Sequence, residues 1–209
     1  TDMFDDVWDP ENSDKLAAQI ADITTYPFID ASQVNSRSLG DGVREHSQHH
    51  WDRLTYILEA AAGEPRPINH TKIYDTGYYG KTPDGPVMGL QRMTLNLLAG
   101  SATVRFHRTD PVFPIEHQTA VSALRMVESK VPFWSVEAHQ ELLKNVAEGE
   151  AFLAAQPGQA YLLYFPEGGK VGLKLGNYPN VEFSLEWVDL TEASYGTSST
   201  ISGGSTVNI

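Results

Sequence analysis

The feature that most constrains this chain is a change of hydrophobic period near residue 145. Before it, apolar residues recur at helical spacing between short strand-like runs; after it, they alternate. The spacing predicts helices over Ser13–Thr24, His50–Ala62, Pro86–Ala99 and Glu116–Glu128. In the first, Leu16, Ala17, Ile20 and Ile23 share a face behind a Ser13 cap. In the second, Trp51, Leu54, Ile57, Leu58 and Ala61 point inward and Gly63 stops the helix. In the third, Pro86 starts the helix and Gly100 ends it. Strands are predicted over Tyr26–Asp30, Arg66–Tyr74 and Ala102–Phe106.

Strand and helix alternating at this spacing imply parallel βα units. Three such units occupy about 110 residues here, against roughly 250 for a closed (β/α) barrel. They form either a small open sheet or the last part of a barrel, and the second is preferred. After residue 145, Phe152–Gln156, Gln159–Phe165, Lys170–Leu175 and Val181–Val188 read as strands, and alternation in the last two puts one face in a core and the other in water. The turns between them are Pro157-Gly158, Glu167-Gly168-Gly169 and Asn177–Asn180. These strands predict a small antiparallel β-sandwich. Thr197–Asn208 reads as a Ser/Thr/Gly-rich tail in which Ser205–Ile209 can form a last strand. The fold class is thus α/β plus all-β, with a barrel part over 1–145 and a sandwich over 146–209. Phe133 and Trp134, next to Pro132, read as core joining the two parts.

Charge narrows the function. Fifteen Lys+Arg against 27 Asp+Glu leave a net charge of −12, the wrong sign for a nucleic-acid binder. There are no cysteines, hence no disulfide, thiolate metal site or cysteine nucleophile. No apolar run approaches the roughly 20 residues of a membrane span, and the start TDMFDDVWDP does not read as a signal peptide. Lacking an initiator Met, the chain is expected to be processed or a piece of something larger. Walker, GxGxxG and GxSxG motifs are absent, and no cofactor is expected.

Polar residues cluster where the three predicted strands end, the position at which a barrel keeps its active site. Asp30 is a carboxylate suited to acid, base or sugar-hydroxyl contact, or to capping the following loop. Gln33 and Asn35 offer amides for paired hydroxyls, or form turns. His46, His49 and His50 make an HxxHH run that fits a metal, a saccharide or anion, or a solvent-exposed cap. No acidic ligand stands at a telling distance, so no metal is assigned. Glu45 is the carboxylate of that loop suited to catalysis. Alternation puts His70, Lys72 and Tyr74 on one face, with Thr71 and Ile73 on the other. Lys72 then needs an anion, either a carboxylate such as Asp30 or an acidic group on a substrate. Arg105 and His107 share a face of the third strand.

The runs SQVNSRS, HHWDRL, RPINHTKIY and NLLAGSATVRFHR resemble the C-terminal half of a glycoside-hydrolase (β/α)8 barrel of the apiosidase-like kind. AYLLYFPEGGKVGLKL and FSLEWVDLTEA resemble the opening of the small C-terminal sandwich, of collagen-binding type, that follows such barrels. The resemblance covers nearly the whole chain and implies that the three strands are the sixth, seventh and eighth. It implies a glutamate at the end of the seventh, in a Lys-Pro-Val-x-x-x-Glu context. Here the stretch is Arg66-Pro67-Ile68-Asn69-His70-Thr71-Lys72, and Lys72 stands where that glutamate would be. Glycosidic hydrolysis normally takes two carboxyl groups.

The expected function is therefore that of a carbohydrate-active protein hydrolysing or binding a polysaccharide, an acidic one if the basic residues line the pocket. Asp30 and Glu45 are the catalytic candidates; Gln33, Asn35, His49, Lys72, Tyr74, Arg105 and His107 are the substrate-binding ones. Loss of hydrolysis at Lys72 gives the alternative of a non-catalytic saccharide- or matrix-binding or assembly protein. Expected partners are a poly- or oligosaccharide and either the missing barrel half or another copy of the chain. Expected location is secreted or cell-surface.

Overall fold

The computed structural model describes residues 29–30, 42–63, 65–73, 85–106 and 113–209. The helix expected over Ser13–Thr24 lies outside them, as do Gln33, Asn35, Tyr74 and His107 and the side chains of Asp30 and Lys72. The chain combines helices with several small sheets and divides into two compact units, residues 1–111 and 112–209.

In the first unit, β1 (Ile29–Asp30), β2 (Ile68–Ile73) and β3 (Thr103–Phe106) form a parallel sheet in the order β1-β2-β3. Helix α1 (Val43–Ala61) lies between β1 and β2 in sequence, and α2 (Gly85–Leu98) between β2 and β3. Helix α1 packs on α2, and α2 on β2 and β3. This is the βα alternation that the hydrophobic period implies.

Helix α1 begins at Val43, seven residues before the expected start, so the HxxHH run lies inside it. Its N-cap is Gly42 at φ 90°, which gives no hydroxyl or carboxylate to mark the start. Buried His46, Ser47, His50, Trp51, Leu54, Ile57 and Ala61 form one stripe with helical spacing. Helix α2 is close to its predicted span. It ends in a Schellman motif: Ser101 N–H bonds Asn96 O at 3.0 Å and Gly100 N–H bonds Leu97 O at 3.1 Å, with Gly100 at φ 100°.

The two sides of the parallel sheet differ. Ile68, His70 and Phe106 are buried, whereas Thr103 and Arg105 are exposed. On the open side Thr103 Oγ1 donates to Asn69 Oδ1 at 3.0 Å. The register runs Asn69↔Thr103, His70↔Val104 and then Ile73↔Phe106, an extra residue on β2. Strict alternation is interrupted there, so period two does not carry from His70 to the residues that follow.

In the second unit, α3 (Ile115–Lys130) buries His117, Ala120, Ala123 and Leu124. Eight strands follow: β4 (Glu137–Ala138), β5 (Leu143–Lys144), β6 (Phe152–Gln156), β7 (Ala160–Tyr164), β8 (Gly172–Lys174), β9 (Glu182–Asp189), β10 (Ser194–Ser202) and β11 (Thr206–Asn208). They make three antiparallel sheets, β4-β6-β7, β11-β8-β5 and β10-β9. Leu143, Ala151, Leu153, Ala155, Val171, Leu173 and Leu175 form the buried centre, flanked by Tyr161, Leu163, Phe165, Phe183 and Ile201.

Two turns show how the sequence sets this unit. Gln156↔Ala160 pairing leaves a three-residue loop with Gly158 at φ 82°, and Gly158 N–H donates to Tyr161 Oη at 2.7 Å. Between β9 and β10, Asp189 Oδ1 accepts from Thr191 N–H at 2.8 Å, Thr191 Oγ1 at 2.7 Å and Glu192 N–H at 3.0 Å. Beyond that turn the Ser/Thr/Gly-rich stretch is no tail: Ser194–Ser202 is β10, the longest strand, paired along β9. Phe133 is buried as expected but Trp134 is 79% exposed. Both lie in a one-turn 3-10 helix, Phe133–Ser135, whose tight winding turns successive side chains to different sides.

Candidate active site at the strand-end edge and a buried histidine seam

Because β1, β2 and β3 are parallel, their C-terminal ends lie along one edge. The segments that leave this edge are residues 31–41, 74–84 and 107–112, which carry Gln33, Asn35, Tyr74 and His107. The Ile73↔Phe106 pairing makes Lys72 and Arg105 neighbours on adjacent strands, one residue before the edge. Asp30 instead pairs with Asn69, three residues before Lys72, or roughly 10 Å back along the strand. Arg105 is exposed on the open face.

Glu45 and His49 lie one turn apart on α1. Glu45 is exposed in the first helical turn, where the helix dipole favours a carboxylate. His49 is half-buried, and burial together with Arg53 lowers its pKa against the opposing pull of Asp52 and Glu45.

Two residues of the HxxHH run do something else. His46 and His50 join α1 to α2 in a seam of two rungs. Arg92 Nε donates to His46 Nε2 at 3.3 Å, and His50 Nε2 meets Asn96 Oδ1 at 2.9 Å. Both rungs span 46 residues, and the second is one turn further along each helix. The two imidazoles stack with centroids 6.4 Å apart. All four residues are buried. Burial, then Arg92, lowers the pKa of His46 to about 4. His50 lies well below its ordinary value for the same reasons, with Asn96 pulling the other way. Burial also lowers Arg92 to about 10.

Sequence reasoning missed this seam because polar residues in a helix start look like a solvated cap. The signal was present: His46 and His50 continue the Trp51, Leu54, Ile57 stripe backwards, and Arg92 and Asn96 sit one turn apart in the largely apolar α2. Among the described residues, no three His, Cys, Asp or Glu side chains converge to hold a metal ion. No helix among them is long and apolar enough to cross a membrane.

No family model matches the sequence, and no curated protein does either. Among solved structures, the chain is similar to a glycoside hydrolase family 5 protein from Bacteroides vulgatus ATCC 8482. The TM-score is 0.64 at 14% identity, over 92% of this chain and 49% of that one. This chain therefore spans about half the length of that protein. The likeness is one of fold, and this chain has a glycoside-hydrolase-like fold over the matched stretch.

Proposed function

We propose that this chain is the C-terminal part of a glycoside-hydrolase-type (β/α)8 barrel, of the apiosidase-like kind, with an appended antiparallel β-sandwich, and that it hydrolyses or binds a polysaccharide. The observation that carries this reading is the parallel order β1-β2-β3 with intervening helices, joined to the half-length fold likeness. A parallel sheet normally has both faces covered, yet Thr103 and Arg105 on one face of this one are exposed. In a barrel, further strands would enclose that face.

The site is assigned to the common C-terminal edge of the strands. Asp30 and Glu45 are the carboxylates proposed for catalysis, and Gln33, Asn35, His49, Lys72, Tyr74, Arg105 and His107 position substrate. Lys72 and Arg105, adjacent in register, favour an acidic saccharide through charge-assisted hydrogen bonds. The change of period near residue 145 is the basis for a barrel part over 1–145 and a sandwich over 146–209, with β4 and β5, which precede residue 146, pairing into the sheets of the second part. Action on a polysaccharide suits a secreted or cell-surface location, with the remaining barrel strands or a second copy as protein partner.

The second reading is a saccharide- or matrix-binding protein without hydrolysis. Lys72, standing where the resemblance calls for a glutamate, favours it. Assays of the native protein on neutral and acidic polysaccharides, with binding and bond cleavage followed separately, test both. Cleavage lost in Asp30→Asn or Glu45→Gln supports the hydrolase; binding without cleavage supports the alternative. Neither binding nor cleavage on any polysaccharide removes both.

A further inference from the structure

We infer that the seam between α1 and α2 is an acid-sensitive latch, in which proton uptake by His46 breaks its bond to Arg92 and loosens the first turns of α1 from α2. The geometry makes the two rungs unequal. Arg92 is a donor only, so His46 Nε2 must offer a lone pair to accept its N–H. A proton on that nitrogen sets two donors and two positive charges against each other at 3.3 Å. The other rung survives protonation, because Asn96 Oδ1 is an acceptor and His50 Nε2 already serves as its donor. His46 is therefore the trigger and His50 the fixed rung.

The surroundings sharpen the response. His46 is acted on by Arg92 from α2 and by His49 and Arg53 from α1, and its ring stacks on His50. His50 is acted on by Arg92, by His46 and by His70 from β2. Among the described residues acting on these two imidazoles, every titratable group is a base and each disfavours protonation. His46 also lies in the first turn of α1. The inference stands on the seam alone, whether or not the saccharide reading holds.

Two measurements on the full chain test it. Nitrogen-15 NMR of the imidazoles should show His46 Nε2 unprotonated at neutral pH and titrating more than one unit below an ordinary histidine. Amide exchange in residues 43–50 should accelerate together with that titration. In His46→Gln, the amide oxygen accepts the Arg92 N–H without titrating, and the acid midpoint of this exchange should fall by about one pH unit or more. His139→Gln, in the second unit, should leave the midpoint unchanged. An ordinary His46 titration overturns the inference, as does an unaltered acid profile in His46→Gln. Should His46→Gln not fold, the wild-type titration decides alone.

Discussion

Replacing Gly158 by Ala separates two physical effects, because Gly168 provides a matched control. Gly158 sits at φ +82°, and a β-carbon there would stand 2.4 Å from Tyr178 Cε1 and 2.9 Å from Tyr178 Cδ1. Gly168 sits at φ +74°, and a β-carbon there would meet none of the described residues within 4 Å. Both substitutions force a left-handed backbone on alanine, which costs about 1 kcal/mol. Only Gly158→Ala also displaces the Tyr178 ring, which packs edge-on against Phe183 at 6.5 Å. Losing that aromatic contact costs about 1 kcal/mol more. Strain on the Gly158 N–H bond to Tyr161 adds to it. The totals are about 2–3 kcal/mol for Gly158→Ala and about 1 kcal/mol for Gly168→Ala. With a urea slope of about 2 kcal/mol/M, the midpoints should fall by about 1–1.5 M and about 0.5 M. Near-ultraviolet dichroism of the Tyr161, Tyr178 and Phe183 cluster follows the transition. Equal shifts in the two variants would refute the reasoning, since the backbone term would then be the only one.

Three further outcomes follow from the same structure. Leu153 is fully buried on β6, between β4 and β7, so the site cannot readily collapse; Leu153→Ala should destabilise the second unit by about 3 kcal/mol in calorimetry, and a loss under about 1 kcal/mol would contradict the core assignment. The folded pKa of His46 is depressed from 6.5 to about 4, so the unfolded chain binds the extra proton between those values. Its contribution, about 3 kcal/mol, is fully present above pH 6.5 and is lost as pH falls through 4, which acid titration of wild type against His46→Gln measures. Lys72→Ala and Arg105→Ala should each weaken binding of an acidic oligosaccharide by about tenfold or more in calorimetric titration, while a neutral one is unaffected; unchanged affinity in both variants would end the acidic-saccharide proposal.

Legibility in the sequence followed the strength of local signals. Helix α2 was readable because Pro86 and Gly100 bracket an apolar run, and the structure ends it on the glycine motif that this spacing implies. Strands β6 and β7 were readable as short apolar runs on either side of the Pro157-Gly158 turn, and β9 from its alternation. The first two turns of α1 were hidden, since Gly42 is a silent cap and His46 and His50 look polar while serving as core. Strand β10 was hidden because its Ser and Thr side chains face water, leaving the pairing to β9 and the packing of Ile201 to specify it. At the site, the strand-end edge follows from the βα pattern alone. The His46–Arg92 and His50–Asn96 rungs do not, because contacts 46 residues apart depend on how two helices pack.

The most direct measurement is the intact mass of the native protein, with peptide mapping beyond both ends. A barrel requires roughly 150 residues or more before Thr1, enough to supply its missing strands. A native chain of 209 residues would contradict the barrel, and with it the hydrolase, leaving an open α/β unit with a binding or assembly role.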